Sequence, residues 1–150
     1  MNIVFKCLDS RLNNEWPVFE NATKGSAGFD LRSCTKEILF LKSQSVELIP
    51  TGIAIHISDP NYCGLIFPRS GLGHRGLVLG NLTGLIDSDY QGELKISAWN
   101  RSTELIEISP GDRIAQLIIV PIVKPSWKIV DDFELKSIRG SSGYGHSGIK

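Results

Sequence analysis

The sequence has little of what marks several common classes of protein. Its three cysteines, Cys7, Cys34 and Cys63, are far apart and form no CxxC pair, so neither a disulfide framework nor a cysteine-based zinc or redox site is predicted. Lysine plus arginine number 16, equal to aspartate plus glutamate, so no broad basic surface is available to hold nucleic acid. No apolar run approaches the ~20 residues that span a bilayer, and no secretion signal is recognisable. We therefore expect a soluble cytoplasmic protein that binds neither nucleic acid nor a membrane.

Several well-known catalytic motifs are also missing. The chain has no GxxxxGK[ST] phosphate loop, no HExxH and no GxSxG. His56 lies in an apolar run, where a core or interface histidine is expected, and His74 is expected in a surface turn. Any catalytic site must therefore be assembled from other residues.

The apolar residues that are present occur in short runs typical of strands. Runs rich in isoleucine, valine and leucine alternate with proline- and glycine-containing turns, and ELKISAW shows the period-two alternation of a half-buried strand. With 150 residues, the chain is expected to form one domain, an all-β sandwich, barrel or jelly roll. The long apolar segment IAQLIIVPIV is predicted to pair with another chain, because an exposed edge strand of this kind seeks a partner.

The segment PRSGLG, Pro68 to Gly73, offers groups that bind phosphate. A strand ending here would present the guanidinium of Arg69, the hydroxyl of Ser70 and the amide of Gly71. A plain turn with a solvated arginine is the alternative, since so short a motif also arises by chance. Gln116 interrupts an apolar strand and must pair its amide either with neighbouring backbone or with a ligand oxygen.

Two aspartates adjoin apolar residues. Asp30 lies between Phe29 and Leu31, where a carboxylate needs a cation such as Arg69 or a metal-bound water nearby. Structural pairing is the commoner use of such an acid, and a direct chemical role is the alternative. Asp87, in GLIDSDYQGEL, belongs either to an exposed turn or to a site into which a buried strand carries it as a base.

The segment RGSSGYGHSG, residues 139–148, has four glycines and three serines and cannot bury enough apolar surface to order itself. It is either a frayed terminus or, because it also contains arginine, tyrosine and histidine, a segment that closes over phosphate and a base. We divide the chain into a domain of residues 1–138 and a flexible glycine-rich tail of residues 139–150.

Taken together and in order, AGFDL, PRSGLG, GLIDSDYQG, GDRIAQL and RGSSGYGHSG resemble the five signature motifs of the trimeric dUTPases of bacterial type. The match runs from Ala27 to Gly148, and five motifs in the right order are far more specific than any one of them. The resemblance implies an all-β jelly roll or distorted β-barrel. It also implies a homotrimer with three active sites at the subunit boundaries.

The activity implied by the resemblance is the Mg²⁺-dependent hydrolysis of dUTP to dUMP and pyrophosphate. This reaction limits uracil incorporation into DNA and supplies dUMP for thymidylate synthesis. Asp87 would be the general base that takes a proton from the water attacking the α-phosphorus, and Asp89 is the less suitable acid. Mg²⁺ would be held by substrate phosphates and waters, with no direct protein ligand.

The resemblance also assigns the other site residues to parts of the nucleotide. At the nucleoside end these are Asn81, Leu85, Ile86 and Tyr90. Along the phosphate chain they are Arg69, Ser70, Gly71 and Gln116, assisted by Lys95 as a nucleotide contact and supported by Asp30. From the tail they are Arg139 on the γ-phosphate, Tyr144 over the uracil, and His146 and Ser147 at the phosphate end.

The tail departs from the commoner family pattern, which has phenylalanine at the position of Tyr144 and serine-threonine at the positions of His146 and Ser147. With histidine at position 146, the affinity of the tail for the γ-phosphate would depend on pH. Two alternative functions are a dCTP deaminase-like or bifunctional enzyme and a catalytically silent nucleotide-binding module. The presence of both Asp87 and the tail argues against these alternatives.

Overall fold

The computed structural model describes residues 1–20, 23–135 and 137–143, and these residues form ten strands and one short helix. The strands are β1 (Val4–Cys7), β2 (Phe29–Arg32), β3 (Leu39–Leu41), β4 (Val46–His56), β5 (Tyr62–Pro68), β6 (Leu77–Leu79), β7 (Gly84–Ile86), β8 (Glu93–Asn100), β9 (Ile106–Ile108) and β10 (Arg113–Pro121). Helix α1 spans Ser70–His74. Within the described ranges no helix is long and apolar enough to cross a membrane.

The strands form two four-stranded sheets and one two-stranded sheet, and all strand pairs are antiparallel. One large sheet has the order β1-β4-β8-β6, and the other has the order β2-β10-β5-β7. The two-stranded sheet pairs β3 with β9. The predicted all-β fold is therefore confirmed.

Strand β8 shows how the sequence pattern produces the core. Leu94, Ile96 and Ala98 are buried, whereas Lys95 on the opposite face is exposed, as the period-two alternation predicts. Inward-facing aliphatic residues from both large sheets join these three in one cluster. Burying each large side chain of this kind contributes about 1.5 to 3 kcal/mol, so the cluster is the main source of stability.

One expectation about the strands is wrong. The segment IAQLIIVPIV was predicted to pair with another chain, but β10 lies inside its sheet, between β2 and β5. Both of its edges are paired within the chain, with Gln116 opposite Asp30 on one side and opposite Phe67 on the other. A strand that is covered on both edges reads as a continuous apolar run, which explains its composition without a partner chain.

The N-terminal segment is fastened to the sheets by a polar cluster. Arg11 pairs with Asp9, donates to the carbonyls of Cys34 and Thr35, and stacks on the ring of Trp16 at 4.7 Å. Hydrogen bonding to Arg11 lowers the pKa of Asp9 to about 2. Burial, assisted by the charge of Asp9, raises the pKa of the Cys34 thiol to about 11.

Candidate active site

Asp30 joins two arginines that come from different strands. Arg69 directly follows β5, and its Nε lies 2.8 Å from Asp30 Oδ1. Arg113 begins β10, and its Nη1 lies 3.1 Å from Asp30 Oδ2. A further hydrogen bond of 3.3 Å runs from Arg69 Nη1 to the carbonyl oxygen of Arg113. The expected pairing of Asp30 with Arg69 is confirmed, and it fixes the direction of the Arg69 guanidinium.

Gln116 is held beside this cluster by a close backbone approach. Its amide Nε2 donates to the carbonyl of Pro68 at 2.9 Å, which is the neighbouring-backbone partner that the sequence left as one option. On the other side, a Cβ built at Gly28 would lie 2.8 Å from Gln116 Oε1. The absence of a side chain at Gly28 therefore makes room for the amide. Gln116 lines the cavity together with the arginines.

The same residues line a cavity of about 620 Å³. Its wall includes Asp30, Arg69, Ser70, Gly71, Arg75, Arg113 and Gln116. Three guanidinium groups face this space, whereas its acidic residues are Asp30 and Glu20. Forked arginine donors and a fixed amide are suited to a chain of phosphate groups, because guanidinium binds phosphate oxygens in a bidentate fashion.

Sequence reasoning missed several residues of this cavity, among them Gly28, Arg75 and Arg113. Gly28 and Arg113 stand inside motifs that the sequence analysis quoted. Only the pairing of β2 with β10 shows that Arg113 reaches Asp30. No pattern in the sequence marks Arg75, since it follows α1 in an ordinary exposed position.

The loop between β7 and β8 carries the proposed base, and the proposed nucleoside contacts lie on this loop and beside it in sequence. β7 and β8 belong to different sheets, so the loop connects one sheet to the other. Asp87 follows β7, and its carbonyl accepts a 3.2 Å hydrogen bond from the amide of Tyr90. Tyr90 in turn donates from its hydroxyl to the carbonyl of Glu93 at 3.0 Å. Asn81, Leu85, Asp87, Tyr90 and Lys95 are all exposed, and Ile86 is half-buried. Of the two alternatives for Asp87, an exposed turn and a site into which a buried strand carries it, the single chain shows the exposed position.

One chain does not bring these two groups of residues together. In the β5–β7 pair, Ile86 lies opposite Gly64, so Asp87 is at the start of β5 while Arg69 follows its end. Six residues of strand separate the two positions, which amounts to roughly 20 Å at about 3.3 Å per residue. Asp87 and the cavity lined by the arginines are thus on different parts of the surface of one chain.

The described part of the tail also lies apart from the cavity. The guanidinium of Arg139 donates to the carbonyl of Ser142 at 2.8 Å, within the tail itself. Arg139 is not among the residues that line the cavity in the described part of the chain. Tyr144, His146 and Ser147 lie outside the described residues.

An all-β subunit with a cavity of arginines and a fixed amide at its strand ends has the fold and site of a protein that binds phosphorylated ligands. The dUTPase family model matches residues 14–148. Over 147 residues the chain is 57% identical to a deoxyuridine 5'-triphosphate nucleotidohydrolase from Psychromonas ingrahamii, covering 97% of each protein.

Solved structures of phage enzymes are also similar. A mutant dUTPase of Staphylococcus bacteriophage 80alpha with dUpNHpp superposes with a TM-score of 0.83 at 32% identity over 99% of each chain. A mutant dUTPase of phage phi11, described with a coordinated structural Mg(II) ion, gives a TM-score of 0.75 at 29% identity, covering 90% of this chain and 100% of the phage chain. The chain belongs to the dUTPase family. Its reaction is the hydrolysis of dUTP to dUMP and pyrophosphate.

Proposed function

We propose that the chain performs this hydrolysis with Asp87 as the general base, in sites shared between the subunits of a homotrimer. Asp87 takes a proton from a water molecule that attacks the α-phosphorus in line with the departing pyrophosphate. Its exposed position in the loop that follows β7 supports this role, because a base there can be presented to a neighbouring subunit. Docking against that subunit would remove the solvent that surrounds it in the single chain.

At the phosphate end, the cavity of about 620 Å³ would hold the triphosphate. Arg69 would donate its remaining N–H groups to phosphate oxygens while Asp30 keeps its plane fixed. Ser70 and Gly71 begin α1 at the cavity wall and would add a hydroxyl and a backbone amide. Gln116 would orient the triphosphate through its side-chain amide, because the hydrogen bond to the Pro68 carbonyl already fixes the position of this amide.

At the nucleoside end, strand β7 supports the recognition of uracil. β7 is the last strand of its sheet, so within the described residues its outer edge has no strand partner. The backbone groups of Leu85 and Ile86 would therefore be available to the hydrogen-bonding edge of the base, with Asn81 beside them. Tyr90 would stack on the deoxyribose and exclude a 2'-hydroxyl. Lys95, on β8, would assist as a further nucleotide contact along the phosphate chain.

The separation of Asp87 and Arg69 within one chain supports a shared site. A single dUTP cannot contact both residues of the same subunit over roughly 20 Å of strand, because the attacked α-phosphorus and the phosphate groups that Arg69 would bind belong to one short triphosphate. An apolar patch on the outer face of the β1-β4-β8-β6 sheet supports subunit contact, since Val46, Trp99 and Val78 form one cross-strand row there. Val46 and Leu48 of this face are 53% and 63% exposed.

The trimer and the role of the tail come from the family resemblance. A closed three-fold assembly gives three equivalent sites, each with a phosphate cavity from one subunit and Asp87 from the next. The tail of a third subunit would close over the nucleotide, with Arg139 on the γ-phosphate and Tyr144, His146 and Ser147 completing the cover. Between β10 and the tail, Val123, Trp127, Ile129 and Phe133 are at least 79% exposed, which supports contact of this segment with another subunit.

Mg²⁺ is the proposed cofactor, held by the substrate. Among the described residues no group of three acidic, histidine or cysteine side chains could hold a metal ion. In the cavity both oxygens of Asp30 are engaged by arginines, which leaves them able to accept a water from a hydrated ion but poorly placed as direct ligands. This donor set fits an ion bound through phosphate oxygens. Bound there, Mg²⁺ would neutralise charge on the phosphates.

A cytoplasmic location is also proposed. Cys7, Cys34 and Cys63 are all free thiols, and buried free thiols such as Cys34 and Cys63 are typical of proteins in a reducing compartment.

The position of Asp87 is the observation that carries the proposed mechanism, and its substitution tests it. Asp87→Asn keeps the shape of the side chain but removes the base, so nucleotide binding should persist while pyrophosphate release from dUTP falls by about 10³-fold or more. Asp89→Asn is the matched control in the same loop and should retain most activity. Hydrolysis by Asp87→Asn at the parent rate would exclude Asp87 as the base.

A substrate comparison tests the alternatives. Pyrophosphate release should be rapid with dUTP and at least about 100-fold slower with UTP, TTP and dCTP, since unpaired or clashing groups at the base and sugar reject the wrong nucleotide. Uracil products formed from dCTP would indicate a deaminase or bifunctional enzyme. Binding of dUTP without turnover would indicate a silent module.

A further inference from the structure

The ring of Tyr90 is held in place by the two residues that follow Gln91. Its hydroxyl donates to the backbone carbonyl of Glu93 at 3.0 Å. Under the ring, a Cβ built at Gly92 would contact the Tyr90 hydroxyl and would lie 2.6 Å from Cζ and 3.0 Å from Cε2. The absence of a side chain at Gly92 therefore allows the ring to fold back over the loop between β7 and β8.

The carboxylate of Glu93, at the start of β8, accepts a hydrogen bond from a bulge in the neighbouring strand β4. Strand β4 pairs with β8 at Pro50↔Lys95 and again at Ala54↔Glu93, so the residues between them on β4 outnumber those on β8. The amide of Gly52, inside the bulge, donates to Glu93 Oε1 at 3.0 Å. The side chain of Glu93 thus replaces a ladder hydrogen bond that the irregular register removes.

The bulge itself is rigid. Gly52 has a φ of +67°, which favours glycine, and a Cβ there would lie 2.9 Å from both Asp9 Cβ and Cys34 Sγ. The carbonyl of Gly52 accepts a hydrogen bond of 2.6 Å from the amide of Leu8. Glu93 is therefore attached to a part of the backbone that cannot shift without disturbing the N-terminal polar cluster.

The same carboxylate also faces a proposed nucleotide contact. Glu93 Oε2 lies 3.9 Å from Lys95 Nζ, whose side chain is 48% exposed. Glu93 thus holds the Tyr90 hydroxyl through its backbone carbonyl and attracts the Lys95 ammonium through its carboxylate.

We propose that Glu93 is a positioning residue that sets discrimination between deoxyribonucleotides and ribonucleotides. The inference rests on the proposed function, in which the Tyr90 ring excludes a 2'-hydroxyl. A steric barrier works only when the ring cannot yield, because a hydroxyl that pushes a mobile ring aside meets little resistance. Glu93 makes the barrier stiff by tying the acceptor of the Tyr90 hydroxyl bond to the Gly52 bulge.

The test compares kcat/KM for dUTP with kcat/KM for UTP in a set of variants. Glu93→Ala should lower the dUTP-to-UTP ratio by about tenfold, as expected from the loss of about one well-placed hydrogen bond. Glu93→Gln keeps an oxygen acceptor for the Gly52 amide and should keep the ratio within about threefold of the parent. Gly92→Ala displaces the Tyr90 ring directly and should lower the ratio by a mechanism that leaves the bulge intact.

Glu47→Ala removes an exposed carboxylate from β4 and is the matched control, which should leave the ratio unchanged. Thermal melting of each variant verifies that the fold is retained. The inference is overturned if Glu93→Ala discriminates like the parent, or if Glu93→Gln loses discrimination as fully as Glu93→Ala. A parent protein that does not hydrolyse dUTP would refute the proposed function and the inference with it, whereas a parent that hydrolyses dUTP separates the two.

Discussion

Asp87 and Arg69 occupy opposite ends of the β5–β7 strand pair, roughly 20 Å apart along the strand. With Asp87 as the proposed base and Arg69 as a proposed phosphate contact, the two residues of one chain cannot act on the same triphosphate. In the proposed shared site each works with its counterpart on another copy of the chain, which makes subunit complementation a direct test.

Mixing two inactive variants should restore activity. Asp87→Asn supplies an intact phosphate cavity, and Arg69→Ala supplies an intact base. In trimers assembled from an equal mixture, about a quarter of the sites would combine both intact parts, so about a quarter of the parent rate should return. Pyrophosphate release measured after co-refolding checks this. Two inactive variants that stay inactive in verified mixed trimers would contradict a shared site.

Asp30→Asn should impair binding of the phosphates. The substitution keeps the size of the side chain but removes the charge that orients Arg69 and Arg113. We expect kcat/KM for dUTP to fall by roughly 10- to 100-fold. Stability should change by only about 1 kcal/mol, because this ion pair is partly exposed. Steady-state kinetics and urea unfolding measure both effects. Glu107→Gln, an exposed acid on β9, is the control, and an equal kinetic effect there would argue against a special role for Asp30.

Gly28→Ala should act through Gln116. The new Cβ would lie 2.8 Å from Gln116 Oε1, so the amide must move away from the cavity or lose its bond to Pro68. The expected result is an increase of about tenfold in KM for dUTP. Gly25→Ala is a suitable control, because the nearest atom to a Cβ there is Thr23 Oγ1 at 3.9 Å. If both glycine variants bind dUTP like the parent, Gln116 does not contribute to the site.

Deleting residues 139–150 should leave a folded trimer with little activity. The proposed cover over the nucleotide is then missing, and we expect a loss of about 100-fold or more in kcat/KM. Size-exclusion chromatography verifies the assembly, and pyrophosphate release measures the rate. Deleting residues 149–150 alone spares the fifth motif and should have little effect. Full turnover by the longer deletion would show that the tail is a frayed end.

Alkaline pH should destabilise the protein through Cys34. Burial raises the pKa of this thiol from 9.0 to about 11 in the folded protein, so the unfolded chain loses its proton first as the pH rises. The stabilisation is complete below pH 9 and is lost between pH 9 and pH 11. Its loss at about pH 10.5 amounts to roughly 2 kcal/mol.

Urea unfolding at about pH 8 and about pH 10.5 checks the Cys34 prediction. Cys34→Ala should lose less stability than the parent over this interval, although it starts from a lower value because of the cavity it leaves. Cys7→Ala should lose as much as the parent, because Cys7 is exposed. Equal losses in the parent and in Cys34→Ala would exclude the buried thiol as the cause.

Local patterns predicted the strand content and several positions of the site. Alternation in β8 predicted which residues are buried, and the apolar run before PRSGLG predicted a strand that ends next to Arg69. The position of β10 was predicted wrongly, since a continuous apolar run is equally typical of an exposed edge strand and of a strand covered on both sides. Periodicity reports which face is buried, and it does not report which strands are neighbours.

The sequence by itself determined the strand-forming segments, the five motifs and their order, because burial periodicity, turn residues and motif spacing are local properties of the chain. Only the tertiary structure decided that Arg113 meets Asp30, that Gly28 makes room for Gln116, and that Asp87 lies far from Arg69. These relationships depend on strand register and sheet order, which arise from contacts between residues distant in sequence.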